Sequence, residues 1–215
     1  MKTAVQCDFD GTITVGEVSQ LLLDEFAEGD WKRVGKDYTD GKISVQACNI
    51  IQFAMVKIDR QTMTDFLLNS GRVKIRPGFQ ELVEYCSRRG FDFIIVSNGL
   101  QFYIETILDN LGINGIEVYA AQSRFNPKGM KLTYPGPDGN PIETSFKEAY
   151  AEILQNRGYD AMYYLGNGVS DIYPARRASH VFAIDGLLKR CRQENLECTP
   201  FNDFYDVIKG LEAIS

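Results

Sequence analysis

Two aspartates two positions apart, Asp8 and Asp10, follow a short apolar run near the start of the chain and meet a Gly-Thr turn. Side chains at positions i and i+2 of an extended segment point the same way, so both carboxylates are expected to face one pocket. Like charges in one pocket repel each other and need a positive partner. A hard divalent cation, most simply Mg²⁺, accepts such oxygen ligands. The alternative is a plain turn with a capping aspartate.

Two later segments add groups that can bind an anion. The stretch "IIVSNG" ends a predicted strand with the hydroxyl of Ser97 and the backbone amides of Asn98 and Gly99. Lys147 lies near the start of a predicted helix, with Thr144 as its expected N-cap. Each has a simpler interpretation, as a strand-to-helix turn or as a surface lysine. As functional groups they predict a phosphate site.

A Gly-rich turn at the end of another predicted strand supplies further oxygen ligands. The segment "YLGNGVSD" carries Asn167 and Asp171. Read alone, this is a loop with a helix-capping aspartate. Four such polar segments at successive strand ends are hard to attribute to chance. Together they predict one site that binds a phosphate group and a metal ion.

The elements that must position these groups alternate between strand and helix. Five apolar runs without strict alternation are typical of strands that are covered on both faces: "TAVQCDF", "FDFIIVS", "IEVYAAQ", "AMYYLG" and "HVFAID". Helical patterns that end in glycine lie between most of them. This alternation predicts an α/β fold with a doubly wound, Rossmann-like parallel sheet. Such sheets place ligands at the carboxyl ends of their strands, where the polar segments lie.

Two stretches interrupt the alternation. Residues 16–72 are predicted to form consecutive helices, with Asp59 as an N-cap. The Gly- and Pro-rich residues 124–143 are predicted to form a hairpin or flap. The expected organisation is therefore a catalytic core of residues 1–15 and 73–215, with an inserted helical cap over the strand ends.

The composition narrows the class of protein. The 215 residues carry a formal net charge of −6 with no basic stripe, which argues against a nucleic-acid partner. No apolar stretch reaches the roughly 18 residues of a membrane span. Five scattered cysteines and one histidine argue for reduced thiols in a cytoplasmic protein and against a His-rich zinc site. The expected partner is a small phosphorylated metabolite, and the sequence gives no oligomeric state.

The segments "DFDGT", "SNG" and "GNGVSD", with Lys147 between the last two, resemble the four motifs of the haloacid dehalogenase-like phosphatase superfamily. The resemblance covers the whole core, and the helical insertion looks like the cap of that family. It implies that Asp8 is the nucleophile, forming an aspartyl-phosphate, and that Asp10 is the general acid and then the base. Two successive displacements of this kind are an ordinary use of a carboxylate nucleophile.

The same resemblance implies the remaining roles. The phosphoryl oxygens would be held by Ser97, Asn98, Gly99 and Lys147. Magnesium would be held by Asp8, the backbone carbonyl of Asp10, Asn167 and Asp171. The family usually has an aspartate where this chain has Asn167, and an amide brings no charge to the metal. A catalytically weak protein that only binds phosphorylated ligands is therefore an alternative.

Two branches of the superfamily compete for the substrate. The C-terminal run "AIDGLLKRCRQENLECTPFNDFYDVI" is similar to the tail of the 2-hydroxy-3-keto-5-methylthiopentenyl-1-phosphate phosphatases of methionine salvage. In the alternative, phosphoserine phosphatases, an acidic residue shortly after the first motif receives the substrate's amino group, and Glu17 has the matching place. Gly11 stands where those enzymes usually have serine, which favours the first branch. Glu17 is predicted to contribute to substrate specificity.

Overall fold

The computed structural model describes residues 2–214, and it confirms the predicted α/β fold. Within these residues one sheet contains β1 (Thr3–Cys7), β2 (Phe91–Leu100), β3 (Glu117–Arg124), β4 (Lys131–Thr133), β5 (Ala161–Gly166), β6 (His180–Ala183) and β7 (Thr199–Pro200). The strand order is β4-β3-β2-β1-β5-β6-β7. The neighbouring strands are parallel except for β3 and β4, which are antiparallel.

The first strand lies inside the sheet, between β2 and β5. All five of its residues are buried, which agrees with an apolar run that is covered on both faces. The backbone N–H of Asp8 donates to the carbonyl of Leu165 at 2.9 Å. The chain therefore stays aligned with the sheet up to the first aspartate, which comes out at the carboxyl edge.

All five predicted strands are present, and β4 and β7 are additional. These two contain three and two residues, too few for a hydrophobic pattern to show in the sequence. The β4 strand pairs with β3 as a hairpin inside the segment predicted as a flap. A bridge between Pro135 and Pro141 closes a second turn in that segment.

The helices cover both faces of the sheet and form the long insertion after β1. They are α1 (Val18–Phe26), α2 (Trp31–Thr39), α3 (Val45–Phe53), α4 (Arg60–Asn69), α5 (Phe79–Arg89), α6 (Gln101–Asn110), α7 (Phe146–Asn156), α8 (Ile172–Ala175), α9 (Asp185–Glu194) and α10 (Phe204–Ile214). The helix α5 ends at Gly90 with φ 67°, the left-handed conformation expected of a glycine stop. Within residues 2–214 no helix combines the length and the hydrophobicity needed to cross a membrane. The five cysteines are free thiols.

The helices α1–α4, here called the helical insert, lie between β1 and β2. Side-chain oxygens of Asp30, Ser44 and Asp59 accept backbone N–H groups at the starts of α2, α3 and α4, so the predicted cap at Asp59 is confirmed. The helix α2 was not predicted separately. None of its residues is fully buried, but Trp31, Val34 and Tyr38 recur at helical spacing and form a half-buried apolar stripe.

The two ends of the insert leave the core side by side. Thr14 and Ile75 form an antiparallel bridge, and the N–H of Val15 donates to the carbonyl of Lys74 at 2.8 Å. Apolar residues of the insert, including Leu22 and Phe53, belong to the same buried cluster as the sheet residues. The insert is therefore tied to the core by its backbone at the root and by packing along its length.

Candidate active site

The carboxylate of Asp8 forms a buried ion pair with Lys147. The Lys147 Nζ lies 2.7 Å from Asp8 Oδ1 and 2.6 Å from Asp171 Oδ1, and all three side chains are buried. Burial raises the pKa of Asp8 to about 7, although Lys147 acts to lower it. Burial alone would lower the pKa of Lys147, but the two carboxylates raise it above its ordinary value, so the amine stays charged.

Lys147 lies near the start of a helix, as the sequence predicted, and is the second residue of α7, but Thr144 is not the N-cap. That position belongs to Ser145, whose side chain makes no capping hydrogen bond and whose φ is 58°. A positive φ is uncommon for a residue with a Cβ atom. The expected cap at Thr144 was therefore wrong by one residue, because the chain turns sharply immediately before the helix.

Asp171 lies behind Lys147 and holds the loop after β5. Its Oδ1 accepts hydrogen bonds from Lys147 and from the hydroxyl of Tyr164, each at 2.6 Å. Its Oδ2 accepts the backbone N–H groups of Asn167 at 3.0 Å and Gly168 at 2.7 Å. Four donors match the four lone-pair positions of a carboxylate. Direct binding of a metal by Asp171 would require one of these bonds to be exchanged.

The carboxylate of Asp10 joins the core to the helical insert. Its Oδ1 accepts the backbone N–H groups of Val18 at 2.7 Å and Ser19 at 3.3 Å, at the start of α1. Its Oδ2 accepts the hydroxyl of Tyr103. Burial raises the pKa of Asp10 to about 6, more than these hydrogen bonds lower it. Asp8 and Asp10 line the same cavity, as their i, i+2 spacing predicts.

The "SNG" loop, residues 97–99, is assigned to the last part of β2, where the pairing of β2 with β3 is interrupted by a shift of register. The N–H of Gly99 donates to Ser97 Oγ at 3.0 Å. The carbonyl of Asn98 accepts Asn49 Nδ2 at 2.8 Å and the hydroxyl of Tyr134 at 2.6 Å. This one carbonyl therefore links the loop to α3 of the insert and to the segment that follows β4.

Asn167 and Glu17 face each other over the first turn. Asn167 Oδ1 accepts the hydroxyl of Thr12 at 3.0 Å, and its Nδ2 donates to Glu17 Oε1 at 3.4 Å. Burial, with a contribution from Asp10, raises the pKa of Glu17 to about 7. Gly11 has φ 74°, and a Cβ there would overlap the Asn167 side chain. The glycine thus provides both the turn and the room for the amide.

A cavity of about 450 Å³ lies between these core groups and the insert. Its polar core side is formed by most of the predicted site residues: Asp8, Asp10, Glu17, Ser97, Asn98, Gly99, Lys147 and Asn167. The insert contributes apolar side chains (Leu23, Trp31, Tyr38, Val45) and amides (Gln20, Asn49, Gln52). Among the described residues that line this cavity, Lys147 is the one with a basic side chain. The remaining predicted residue, Asp171, lies directly behind that lysine.

The donor set of the cavity fits a magnesium ion. Among the described residues that line the cavity, the three carboxyl groups of Asp8, Asp10 and Glu17 outnumber the one basic side chain, that of Lys147. In residues 2–214 no three His, Cys, Asp or Glu side chains converge into a complete metal cage. Magnesium usually takes one or two protein carboxylates and completes its shell with water and substrate phosphate. A partial, oxygen-only set is therefore what this ion requires.

A sequence model of the haloacid dehalogenase-like hydrolases matches residues 5–176, which include every polar segment described above. The chain belongs to this family. It is therefore an enzyme of the haloacid dehalogenase-like hydrolase type, and the similar curated proteins carry the names of phosphatases.

These relatives of the hydrolase match along nearly its whole length. The 2-hydroxy-3-keto-5-methylthiopentenyl-1-phosphate phosphatase of Exiguobacterium sibiricum is 32% identical, over 99% of this chain and 98% of the relative. The enzyme of the same name from Geobacillus thermodenitrificans is 29% identical over 97% and 94%. A solved phosphoserine phosphatase with bound substrate shares the fold, with a TM-score of 0.73 over 97% of this chain and 98% of that one, at 18% identity.

Several residues that shape the hydrolase site were not found by sequence reasoning. Tyr103 and Tyr164 each donate to an aspartate of the site, and Asn49 reaches it from the insert. Arg76 is buried and donates hydrogen bonds to the carbonyls of Gly11 and Thr12 in the first turn. Tyrosine and arginine carry no spacing signal of their own, since these contacts depend on the folded chain.

Proposed function

We propose that this hydrolase is a magnesium-dependent phosphomonoesterase that acts through an aspartyl-phosphate on Asp8. The observation that carries the proposal is the buried Asp8 carboxylate, paired through Oδ1 with Lys147, in the same cavity as a second buried carboxyl, Asp10. A paired nucleophile beside an acid whose pKa is near neutrality is what two-step phosphoester hydrolysis requires.

Each of the two aspartates has its own role in the reaction. An Asp8 oxygen attacks phosphorus, the bond to the leaving oxygen breaks, and Asp10 gives its proton to that oxygen. Asp10 then takes a proton from water as the water oxygen attacks the same phosphorus, which releases phosphate and restores the Asp8 carboxylate. A pKa of about 6 for Asp10 suits both directions of proton transfer near neutral pH.

The phosphoryl oxygens would be held by Lys147 and by the Ser97–Gly99 loop. The Gly99 amide, which now donates to Ser97 Oγ, would exchange this bond for a phosphoryl oxygen. Asp8, the Asp10 carbonyl and Asn167 would hold magnesium, with Asp171 as a further ligand only after exchange of one of its bonds. When bound, the ion supplies positive charge against the phosphoryl group and its developing negative charge.

The helical insert, within residues 16–72, would act as the cap that selects the substrate. Its side of the cavity offers apolar and amide side chains, and Lys147 is already paired with two carboxylates. Arg190, in an adjoining cavity, is paired with Glu194 at 2.6 Å. A substrate whose tail carries a carboxylate would therefore lack a free cation, whereas an uncharged tail would not need one.

The apolar and amide lining of the insert favours 2-hydroxy-3-keto-5-methylthiopentenyl-1-phosphate, the substrate in the names of the relatives, because its tail has hydroxyl, keto and methylthio groups. Phosphoserine carries a carboxylate and an amine, and only Glu17 in the cavity supports it as the alternative. A kcat/KM at least about 100-fold higher for the uncharged substrate is expected, since an unpaired buried carboxylate costs several kcal/mol. A preference for phosphoserine would overturn the substrate assignment but not the chemistry.

The chemistry has its own test. Asp8→Asn should keep the fold and lose turnover of p-nitrophenyl phosphate, because an amide cannot attack phosphorus. With added methanol, the ratio of methyl phosphate to phosphate should be the same for every aryl substrate, because all pass through one phospho-enzyme. Near-normal turnover by Asp8→Asn, or a ratio that follows the leaving group, would refute the aspartyl-phosphate. If the wild-type protein is inert at every Mg²⁺ concentration, the alternative is favoured: a protein that binds phosphorylated ligands without turnover, because Asn167 brings no charge to the metal.

A further inference from the structure

Tyr103 contacts Asp10, the candidate acid, directly, and it has no part in the proposed phosphate and magnesium sites. It lies in the first turn of α6 and its side chain is completely buried. Its hydroxyl donates to Asp10 Oδ2. The contact spans 93 positions in the sequence, so it is made only when α6 packs against the turn after β1.

The hydrogen bonds to Asp10 leave one position open. The amides of Val18 and Ser19 both donate to Oδ1, and Tyr103 donates to Oδ2. A carboxylate has about four lone-pair positions, so one remains, on Oδ2. A proton on Asp10 can therefore bind at this open position of Oδ2 without breaking any of the existing hydrogen bonds.

The chain makes room for this contact. A Cβ atom on Gly99 would overlap the hydroxyl of Tyr103 and Asp10 Oδ2, and it would lie 2.8 Å from Tyr103 Cζ. The ring of Phe9 packs against Tyr103 with centroids 6.1 Å apart. The ring is thus held between the first turn and the "SNG" loop, where Gly99 alone allows its hydroxyl to reach the carboxylate.

The phenol acts as a donor only. A tyrosine hydroxyl ordinarily loses its proton only at about pH 10. The hydroxyl therefore keeps its proton across the working pH range and cannot compete with Asp10 as the acid.

We propose that Tyr103 is a positioning residue that fixes the Asp10 carboxyl so that the open position of Oδ2 faces the leaving oxygen of the substrate. The inference rests on the proposed acid role of Asp10. In the step concerned, the bond from phosphorus to the leaving oxygen breaks, the bond to Asp8 forms, and the proton moves from Asp10 Oδ2 to the leaving oxygen. Tyr103 itself gives up no proton.

The test is the dependence of kcat/KM on the leaving group, measured for Tyr103→Phe with Mg²⁺ present. The parameter kcat/KM reports only the steps up to phosphoryl transfer. A 2,4-dinitrophenolate needs no proton to leave, so kcat/KM for its phosphate should fall less than about 2-fold. For phenyl and alkyl phosphates it should fall about 10-fold, part of the roughly 10²–10⁴-fold that a positioned acid contributes. Retained activity on the activated ester also shows that the variant is folded.

Tyr164→Phe is the matched control, since Tyr164 is equally buried and donates to the other aspartate, Asp171. It should lower kcat/KM by the same factor for all leaving groups, because Asp171 acts through Lys147. Asp10→Asn should give the steepest dependence of all. An equal loss on every ester for Tyr103→Phe, with a steep dependence for Asp10→Asn, would overturn the role of Tyr103. A flat profile for Asp10→Asn would instead refute the acid role of Asp10.

Discussion

Replacing Lys147 by methionine removes the cation between two buried carboxylates while nearly keeping the volume of the side chain. The Nζ lies within 2.7 Å of Asp8 and within 2.6 Å of Asp171, and all three side chains are at most 7% exposed. Breaking a buried ion pair by removing one partner costs about 3–5 kcal/mol, because a charge is left uncompensated. We expect a loss of this size in the free energy of unfolding of Lys147→Met at pH 8, and loss of activity.

The size of this loss should depend on pH in a defined direction. The folded-state pKa of Asp8 is raised from 3.8 to about 7, so its contribution to stability is fully present below about 4 and is lost as the pH rises through about 7. Without Lys147 this pKa rises further, because the lysine acts to lower it. The lysine charge does not change in this range, since its own pKa is raised. The cost of Lys147→Met should therefore be smaller at pH 5 than at pH 8.

The assay is urea denaturation of wild type and variant at both pH values in EDTA, so that no metal ion replaces the missing charge. Asp8→Asn combined with Lys147→Met is the control, because it also removes one of the stranded carboxylates. The double variant should be more stable than the sum of the single effects predicts, by about 1–3 kcal/mol. A cost below about 1 kcal/mol at pH 8, typical of an exposed pair, or one that is the same at pH 5, would refute this reasoning.

Three further predictions concern other residues of the site. Asn167→Asp should tighten Mg²⁺ binding by about 1–3 kcal/mol if the residue is a ligand; calorimetric titrations that coincide with wild type would place the metal elsewhere. Glu17→Ala should change the relative kcat/KM values among phosphorylated metabolites more than it changes p-nitrophenyl phosphate hydrolysis, whereas equal losses would assign Glu17 to the catalytic groups. Arg76→Met should lower the free energy of unfolding by about 2–4 kcal/mol, because it removes buried hydrogen bonds to the carbonyls of Gly11 and Thr12; urea denaturation measures this, and a change under about 1 kcal/mol would contradict it.

The position of most site residues could be predicted because it follows from the strand pattern. Asp8, Ser97 and Asn167 lie in or directly after β1, β2 and β5, which are neighbours in a parallel order. The carboxyl ends of parallel neighbours share one edge, so apolar runs followed by polar residues suffice to bring these groups together. The same logic gave the fold class, since strand and helix patterns alternate outside the insert.

What the sequence did not reveal depends on contacts between distant segments. Arg76 reaches the Thr12 carbonyl across 64 positions, and Tyr103 reaches Asp10 across 93. Contacts between residues so far apart in the sequence produce no periodic pattern from which they could be predicted. The helix α2 is a different case, since Trp31, Val34 and Tyr38 recur at helical spacing and would have predicted it. The strands β4 and β7 contain too few residues for an alternating hydrophobic pattern to be recognised.

The paired root of the helical insert has a consequence for how such an enzyme can diversify. Because the chain leaves and re-enters the core across the Thr14–Ile75 bridge, the entropy of closing the inserted loop changes only with the logarithm of its length. Changes in the length of the insert therefore cost little loop-closure entropy. Two places are exceptions: the first turn of α1, whose amides at Val18 and Ser19 are held by Asp10, and α3, where Asn49 holds the Asn98 carbonyl and Phe53 packs in the core. An insert of another length would therefore have to keep a helix start at the first place, and a donor and an apolar anchor at the second.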